Sequence, residues 1–238
     1  MSYRDIVILA NSRRHNGHCI AGKDIATGEW IRPINTLGRG QIRQDPSAFL
    51  DEDLKTLTGS PSGPQLLDCV RIGFEGRCPL YYQPENIAID GLTWERRSSF
   101  AYSRIHELID PPETCCLQDT DPYYKTIPAK DLLAHPATTS LSFIRLHLQS
   151  NNVVISHTTS QAGNPQHRLA FNYGVKRYNL PITDYRYEQL VAQSANDDAG
   201  IFNDCFVTIG LGEKYSPYDT KLELHYRFIV GIIPANET

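Results

Sequence analysis

The feature that most constrains the fold is an alternation of apolar and polar side chains near the end of the chain. Between residues 221 and 232 every second side chain is apolar (Leu222, Leu224, Tyr226, Phe228, Val230 and Ile232), and these alternate with Lys221, Glu223, His225 and Arg227. A period of two over this length is typical of an antiparallel strand with one buried and one wet face. We expect the apolar set to face a core.

Shorter runs elsewhere predict further strands, at residues 6–9, 18–21, 30–34, 66–74, 87–89, 141–148, 153–156, 168–173 and 205–211. Helices are expected only at residues 48–57, 103–109 and 185–193, the last with Thr183 as its N-cap. Because strands and helices do not alternate, a doubly wound fold is disfavoured. The sequence predicts a mostly β protein, built as two small barrels or sandwiches with short helical insertions. The boundary is expected within residues 131–139, where Pro136 precedes a new strand.

Composition sets limits on the function. The 238 residues include 13 Tyr, 8 Phe and 2 Trp, which is more aromatic surface than a disordered chain carries. A net charge of -4 excludes a uniformly basic protein but permits a local basic face. The six cysteines form no Cys-x-x-Cys pair, and no apolar run is long enough for an export signal or a membrane span. We therefore expect reduced thiols, no membrane segment and a cytoplasmic location.

Catalytic templates are not matched. The run Gly210-Leu211-Gly212-Glu213-Lys214 lacks the third glycine of a dinucleotide fingerprint, and no Gly-x-Ser-x-Gly elbow occurs. His15 and His18 form the one close histidine pair in the sequence. A structural zinc site needs four ligands, and no other candidate ligands have a matching spacing, so this pair does not predict one. The sequence therefore predicts no catalytic residue, metal or cofactor and favours a non-enzymatic protein, although an enzyme stays open.

Two groups of basic and aromatic residues give the positive signal. Residues 11–43 carry six Lys or Arg, including Arg39 and Arg43, against two acids, so their charge is 6 − 2 = +4. Cationic groups near stacking rings are what single-stranded nucleic acid requires. The predicted nucleic-acid-binding residues are Arg13, Arg14, His15, Lys23, Trp30 and Arg32 in the first group, and Tyr173, Lys176, Arg177 and Tyr178 in the second.

Alternatives to this interpretation stay open. The basic residues also suit a smaller anion such as a nucleotide, or an ordinary solvated surface. Trp30 itself favours a core position, since aromatic side chains usually bury most of their surface.

The sequence also resembles a known family at both ends. The opening Asn11-Ser12, Gly17-His18-Cys19-Ile20-Ala21-Gly22 and Gly28-Glu29-Trp30-Ile31-Arg32-Pro33-Ile34 is similar to that of bacterial dual OB-containing domain proteins. So are the segments 178–184, 207–215 and 225–233. The resemblance implies two OB-like β-barrels, which we place at residues 1–135 (with a long insertion) and 136–238. It also implies nucleic-acid binding within a bacterial defence or genome-conflict system.

These inferences give one leading hypothesis and three others. The leading one is a non-catalytic protein that binds single-stranded or structured nucleic acid in a basic and aromatic groove, with single strands favoured and a partner protein as a further expectation. The second is a nucleotide or second-messenger sensor that signals to a partner protein. The third is a hydrolase or nuclease that uses His15 and His18, and the fourth is a protein-interaction adaptor.

Overall fold

The structure, a computed structural model, describes residues 2–14, 17–35, 49–59, 63–91, 94–112, 126–136, 138–159, 163–193, 204–216 and 222–235. The strands in these residues are β1 (Ser2–Arg14), β2 (Gly17–Asp24), β3 (Trp30–Ile34), β4 (Asp68–Arg77), β5 (Asn86–Ile89), β6 (Glu95–Ser99), β7 (Thr126–Pro128), β8 (Leu141–Leu146), β9 (Val154–Thr159), β10 (Pro165–Tyr173), β11 (Lys176–Pro181), β12 (Cys205–Tyr215) and β13 (Leu224–Pro234). The helices are α1 (Asp51–Thr58), α2 (Ala129–Ala134), α3 (Tyr185–Gln193) and a 3₁₀ helix at Tyr102–Leu108. None of the helices within these ranges has the length and apolar character needed to cross a membrane.

The chain divides into two compact units, Met1–Ile109 (unit 1) and Asp110–Thr238 (unit 2). This division lies earlier than the boundary at 135/136 expected from the sequence. Strand β7 pairs with β13, so the segment that carries β7 and α2 goes with the second unit. Whether 1–135 and 136–238 are the domains that fold independently stays a prediction.

Unit 1 contains a closed five-stranded barrel. Its strands are hydrogen-bonded in the order β1-β2-β3-β5-β4, and β4 also pairs with β1 and closes the ring. Strands β3 and β5 run parallel, whereas the other neighbours are antiparallel. Strand β6 lies outside the ring and pairs with β4. This circuit is that of an OB barrel, as the resemblance implies.

The interior of this barrel is filled by alternate side chains of its strands, which include Ile6, Ile8, Ile20, Ile31, Val70, Ile72, Ile87 and Ile89. Gly22 lies among them at a point where β1 and β2 approach closely. A Cβ atom at position 22 would lie 2.1 Å from the backbone oxygen of Val7. Glycine is therefore required here by lack of space.

Unit 2 follows the same circuit with one difference. Strand β8 pairs with β12 and β12 with β13, while β9 pairs with β10 and β10 with β11. A parallel bridge between Ile182 and Ile229 connects the end of β11 to β13, as β3 and β5 are connected in unit 1. In unit 1, β1 alone pairs with both its second and its fourth strand. In unit 2 this role is divided between β8 and β9, which are separated by a turn at residues 147–153.

The alternation correctly predicts that β13 is a strand, but the prediction of which face of the strand is buried is wrong. His225 and Arg227, expected on the wet face, are fully buried, whereas Leu224, Tyr226 and Phe228 are only partly buried. These two polar side chains can be buried because backbone carbonyl groups from other strands form hydrogen bonds with them. The His225 ring contacts the backbone oxygen of Gly212 through Nδ1 at 2.9 Å, and Arg227 Nη1 donates to the Thr126 carbonyl at 3.2 Å. Alternation shows that two faces differ, and long-range partners decide which one is covered.

The predicted helices are confirmed with small shifts at their ends, as α1, the 3₁₀ helix and α3. The N-cap predicted for α3 is wrong by one residue. Asp184 Oδ1 accepts a hydrogen bond from the Tyr187 backbone N–H at 2.9 Å, whereas the Thr183 hydroxyl donates to the Ile229 carbonyl at 3.3 Å. The other oxygen of Asp184 accepts from Ile232 N–H at 2.7 Å, so this carboxyl ties α3 to β13.

Candidate nucleic-acid interface

Three of the predicted binding residues lie on the outer side of β2 and β3, and all three are buried. Lys23, Trp30 and Arg32 are 6%, 7% and 5% exposed. The Lys23 ammonium donates to the Leu108 carbonyl at 2.8 Å and lies 5.3 Å from the centre of the Trp30 ring. The Lys23 ammonium and the Trp30 ring thus contact other groups inside the protein. The structure does not place these three residues on a surface that a nucleic-acid strand could contact.

Arg32 connects β3 to the loop between β4 and β5. Its Nε donates to Glu85 Oε1 at 3.0 Å and its Nη1 to the Cys19 sulfur at 3.4 Å. Burial alone would lower the pKa of Arg32, but the neighbouring Cys19 and Glu85 together raise it. The backbone N–H of Arg32 also donates to the Glu85 carbonyl at 3.0 Å. Arg32 therefore holds the 78–85 loop in place.

The remaining basic residues of the first group are only partly placed. Arg13 is exposed near the end of β1, whereas the side chain of Arg14 and residues His15, Arg39 and Arg43 lie outside what the structure describes. His18, the other half of the histidine pair, is buried with its Nδ1 2.8 Å from Asn11 Oδ1. Across the described ranges, no group of three or more His, Cys, Asp or Glu side chains is arranged to hold a metal ion.

The second group divides between the two sides of a three-stranded sheet. Tyr178 is 1% exposed and stacks on Phe171 with 5.4 Å between ring centres, and Tyr173 is partly buried against the same core. Lys176 is opposite Tyr173 in the register and is half-buried. Arg177 alone among the four is exposed, on the opposite side of the sheet.

That opposite side is the only broad polar face that β9, β10 and β11 present together, and it forms the candidate site. Directly opposed residues of antiparallel strands point to the same side, and the register pairs Arg168 with Ser156 and Asn172 with Arg177. The "β9–β11 outer face" consists of Val154, Ser156, Thr158, Gln166, Arg168, Ala170, Asn172, Arg177, Asn179 and Pro181.

Both arginines of this face are held by neutral acceptors. Arg168 donates from Nε to Asn179 Oδ1 at 3.0 Å, from Nη1 to Gln166 Oε1 at 2.8 Å and from Nη2 to the Asn179 carbonyl. Arg177 Nη1 donates to Asn172 Oδ1 at 3.2 Å and the Asn152 carbonyl at 3.3 Å. Burial lowers the pKa of Arg168, but a guanidinium stays charged in proteins.

Five other exposed or partly exposed arginines, all in unit 1, behave differently. Arg71, Arg77, Arg96, Arg97 and Arg104 each form an ion pair with a carboxylate. No described carboxylate pairs with Arg168 or Arg177 in this way. On the β9–β11 outer face, two oriented cations therefore have no ion-pair partner among the residues that the structure describes.

Sequence reasoning missed Arg168, although a signal for it exists. Residues 132–183 contain no Asp or Glu, in a chain that has 27. The same segment contains Arg145, Arg168, Lys176 and Arg177, so its charge is +4 and the rest of the chain carries −4 − 4 = −8. A search for long segments without Asp or Glu, rather than for clusters of basic residues, would have pointed to the part of the chain that contains β9 to β11.

Comparison with known proteins agrees with this architecture. The family model for the dual OB-containing domain matches residues 4–232. A search of curated proteins returns no match. The match to the family model spans nearly the whole sequence and includes the strands of both units. The chain therefore belongs to the dual OB-containing domain family.

Proposed function

We propose that the protein binds single-stranded nucleic acid on the β9–β11 outer face, without chemistry. In the circuit of unit 2, β10 and β11 occupy the second and third positions, and the face of those strands is where OB folds bind oligonucleotides. The observation that supports the proposal most directly is the pair Arg168 and Arg177, which no described carboxylate neutralises.

The spacing of the two arginines suits a strand laid along the sheet. Asn172 is opposite Arg177, and Arg168 precedes Asn172 by four residues on β10. At a rise of about 3.3 Å per residue, the Cα atoms of the two arginines are roughly 13 Å apart along the strand direction. Each guanidinium is also held by its own set of neighbouring side chains, so we expect each to contact its own phosphate.

The chemistry of the face also predicts how it binds. Its other polar groups are the amides of Gln166, Asn172 and Asn179 and the hydroxyls of Ser156 and Thr158. It carries no aromatic ring, because the alternation places Tyr178 on the core side. Affinity should therefore come from phosphate contacts, with strong salt dependence and little preference for base sequence.

The test is fluorescence anisotropy of a labelled mixed-sequence single strand, as DNA and as RNA, titrated over a range of salt concentrations. We expect the double variant Arg168→Gln/Arg177→Gln to bind more weakly. The slope of log affinity against log salt is negative and should become shallower by about 1.4, since each phosphate contact on a single strand contributes about −0.7.

The matched control is Arg77→Gln/Arg104→Gln, which removes the same charge from two exposed, ion-paired arginines of unit 1. Its slope should stay near that of the unchanged protein. An equal loss in both double variants would mean that net charge alone acts, and an unchanged slope in the first would refute the assignment of this face. Saturation by a mononucleotide, with no dependence on oligonucleotide length, would instead favour the sensor.

The family resemblance adds a biological setting to the proposal. We propose in addition that the protein is cytoplasmic, acts in bacterial genome defence and binds a partner protein. Affinity purification of the tagged protein, with and without nuclease treatment, tests the last of these. A partner that remains after nuclease treatment is bound through protein contacts, and recovery of nucleic acid alone would remove the partner from the proposal.

A further inference from the structure

Strand β9 lies at one end of the three-stranded sheet of unit 2, and among the strands that the structure describes it pairs with β10 alone. The Ile182 backbone N–H donates to the His167 carbonyl at 2.9 Å, so the odd-numbered residues of β10 bond to β11 and the even-numbered ones to β9. The residues of β9 that face these even-numbered residues are Val154, Ser156 and Thr158. The backbone groups of the alternate residues Ile155 and Thr159 therefore point to the far edge of the sheet.

The sequence of β9 does not protect this edge. Natural proteins usually give an end strand charged residues, a proline or a bulge, because an open edge recruits another strand. Strand β9 reads Val-Ile-Ser-His-Thr-Thr, with no Lys, Arg, Asp, Glu or Pro, and its register with β10 has no bulge. Four of its six residues are β-branched, a type that favours strands. Val154 is apolar and 45% exposed.

The other end strands within the described ranges are each protected. Strand β6 has charged residues at three of its five positions, and β7 is three residues long and ends in Pro128. Asp110 covers the edge of β8, since its backbone N–H donates to the Phe143 carbonyl at 2.9 Å and its Oδ2 accepts from the Phe143 N–H at 2.7 Å. Strand β11 continues into the bridge between Ile182 and Ile229. The edge of β9 differs from all of these.

We propose that β9 pairs antiparallel with β9 of a second copy of this chain. The twofold axis of such a pair is perpendicular to the sheet, so Ser156 and Thr158 of both copies stay on the same face. A strand without fixed charges meets its own copy without the repulsion that like charges cause across a strand pair. The nearest arginines of the two sheets, Arg168 of each copy, attach three strand spacings or roughly 14 Å apart. Their repulsion is therefore weak, because salt screens exposed charges beyond about 10 Å.

The pairing joins two β9–β11 outer faces into one six-stranded face. This face carries Arg168 and Arg177 of both copies, so one nucleic-acid strand can contact four guanidinium groups instead of two. That consequence rests on the function proposed above, whereas the pairing itself does not.

The test is sedimentation velocity on the full chain without nucleic acid, over a wide range of protein concentrations. We expect an equilibrium between monomer and dimer. Ser156→Lys and Ser156→Glu each place like charges beside the twofold axis, so both should weaken the dimer about tenfold. The matched controls are Val175→Lys and Val175→Glu, which add the same charges in the exposed turn between β10 and β11 and should leave the dimer unchanged.

Amide hydrogen exchange on the unchanged chain gives a second measurement that needs no variant. Exchange at Ile155 and Thr159 should slow as the protein concentration rises, because their N–H groups become bonded in the dimer. Exchange that does not depend on concentration would overturn the proposal, as would a chain that sediments as a monomer throughout. A dimer that resists both Ser156 variants, or that only one sign of charge weakens, would place the contact elsewhere and refute the pairing of β9 with itself.

The dimer and the nucleic-acid function can fail separately. Arg168→Gln/Arg177→Gln should dimerise like the unchanged chain while it binds nucleic acid more weakly. A chain that dimerises through β9 but binds no nucleic acid would refute only the function proposed for the outer face. A monomer that binds nucleic acid with the expected salt dependence would refute only the dimer.

Discussion

Replacing Arg32 with Met should destabilise unit 1 strongly, because it leaves a carboxylate buried without its cation. The two side chains of the Arg32–Glu85 pair are 6% and 2% exposed and meet at 3.0 Å. Methionine fills much of the same space and has no charge. Once the guanidinium is gone, Glu85 must stay charged in an apolar site, take up a proton or pull the 78–85 loop away from β3.

The expected cost is about 3–5 kcal/mol of unfolding free energy, the range for removing one partner of a buried ion pair. Replacing both partners is different, because no charge then remains inside. The double variant Arg32→Met/Glu85→Met should recover most of the loss, since apolar residues of similar size often replace a buried pair at little cost.

Tryptophan fluorescence in a denaturant titration measures this effect in the correct unit. Trp30 and Trp94 both belong to unit 1, so their emission follows its unfolding and not that of unit 2. A cost below about 1 kcal/mol for Arg32→Met would refute the reasoning, as would a double variant no more stable than the single one. A lower salt slope in nucleic-acid binding at unchanged stability would restore Arg32 to the phosphate contacts predicted from sequence.

Two further predictions concern stability. Burial raises the pKa of Asp184 to about 6, from 3.8, despite its hydrogen bonds from the backbone of Tyr187 and Ile232. Its contribution to stability is therefore full below pH 3.8 and is lost as pH rises through 6. The difference in unfolding free energy between the wild type and Asp184→Asn, measured by circular dichroism, should change by up to about 3 kcal/mol across this window, and a constant difference would contradict it. Gly22→Ala should cost about 3 kcal/mol or prevent folding, because its Cβ would lie 2.1 Å from the Val7 oxygen. Gly76→Ala, where a Cβ meets nothing within 4 Å, should be tolerated, and thermal melts of the two variants measure the difference.

Most of the strands and helices were predictable because their signals are local, whereas β6, β7 and α2 were not predicted. Period two marks β10 and β12, a Thr-Gly turn marks the β2–β3 hairpin, where Gly28 has a φ of 72°, and helical spacing marks α3. The circuit itself came from the family resemblance, which implied the OB order that pairing then confirmed.

The burial of charged residues was not predictable, because it depends on partners far along the chain. Arg32 meets Glu85, 53 residues away, and Arg227 meets the Thr126 carbonyl, 101 residues away. Adjacent residues with similar chemistry also separate, since Arg177 and Tyr178 point to opposite sides of one strand. A basic cluster in sequence is therefore weak evidence for a basic surface in a β protein.

The pairing pattern also orders the events of synthesis. All the described strands of unit 1 are available once residue 99 has been made, and the longest-range pairing among them, Ser2 with Phe74, then needs no later segment. Unit 2 waits for β13, which pairs with β7 and β12 and bridges to the end of β11. Until residues 224–234 emerge, the edges of β12 and β7 lack a partner, and such edges recruit other chains. Strand β13, which follows the other described strands of unit 2, is thus the one that protects the nascent unit from aggregation.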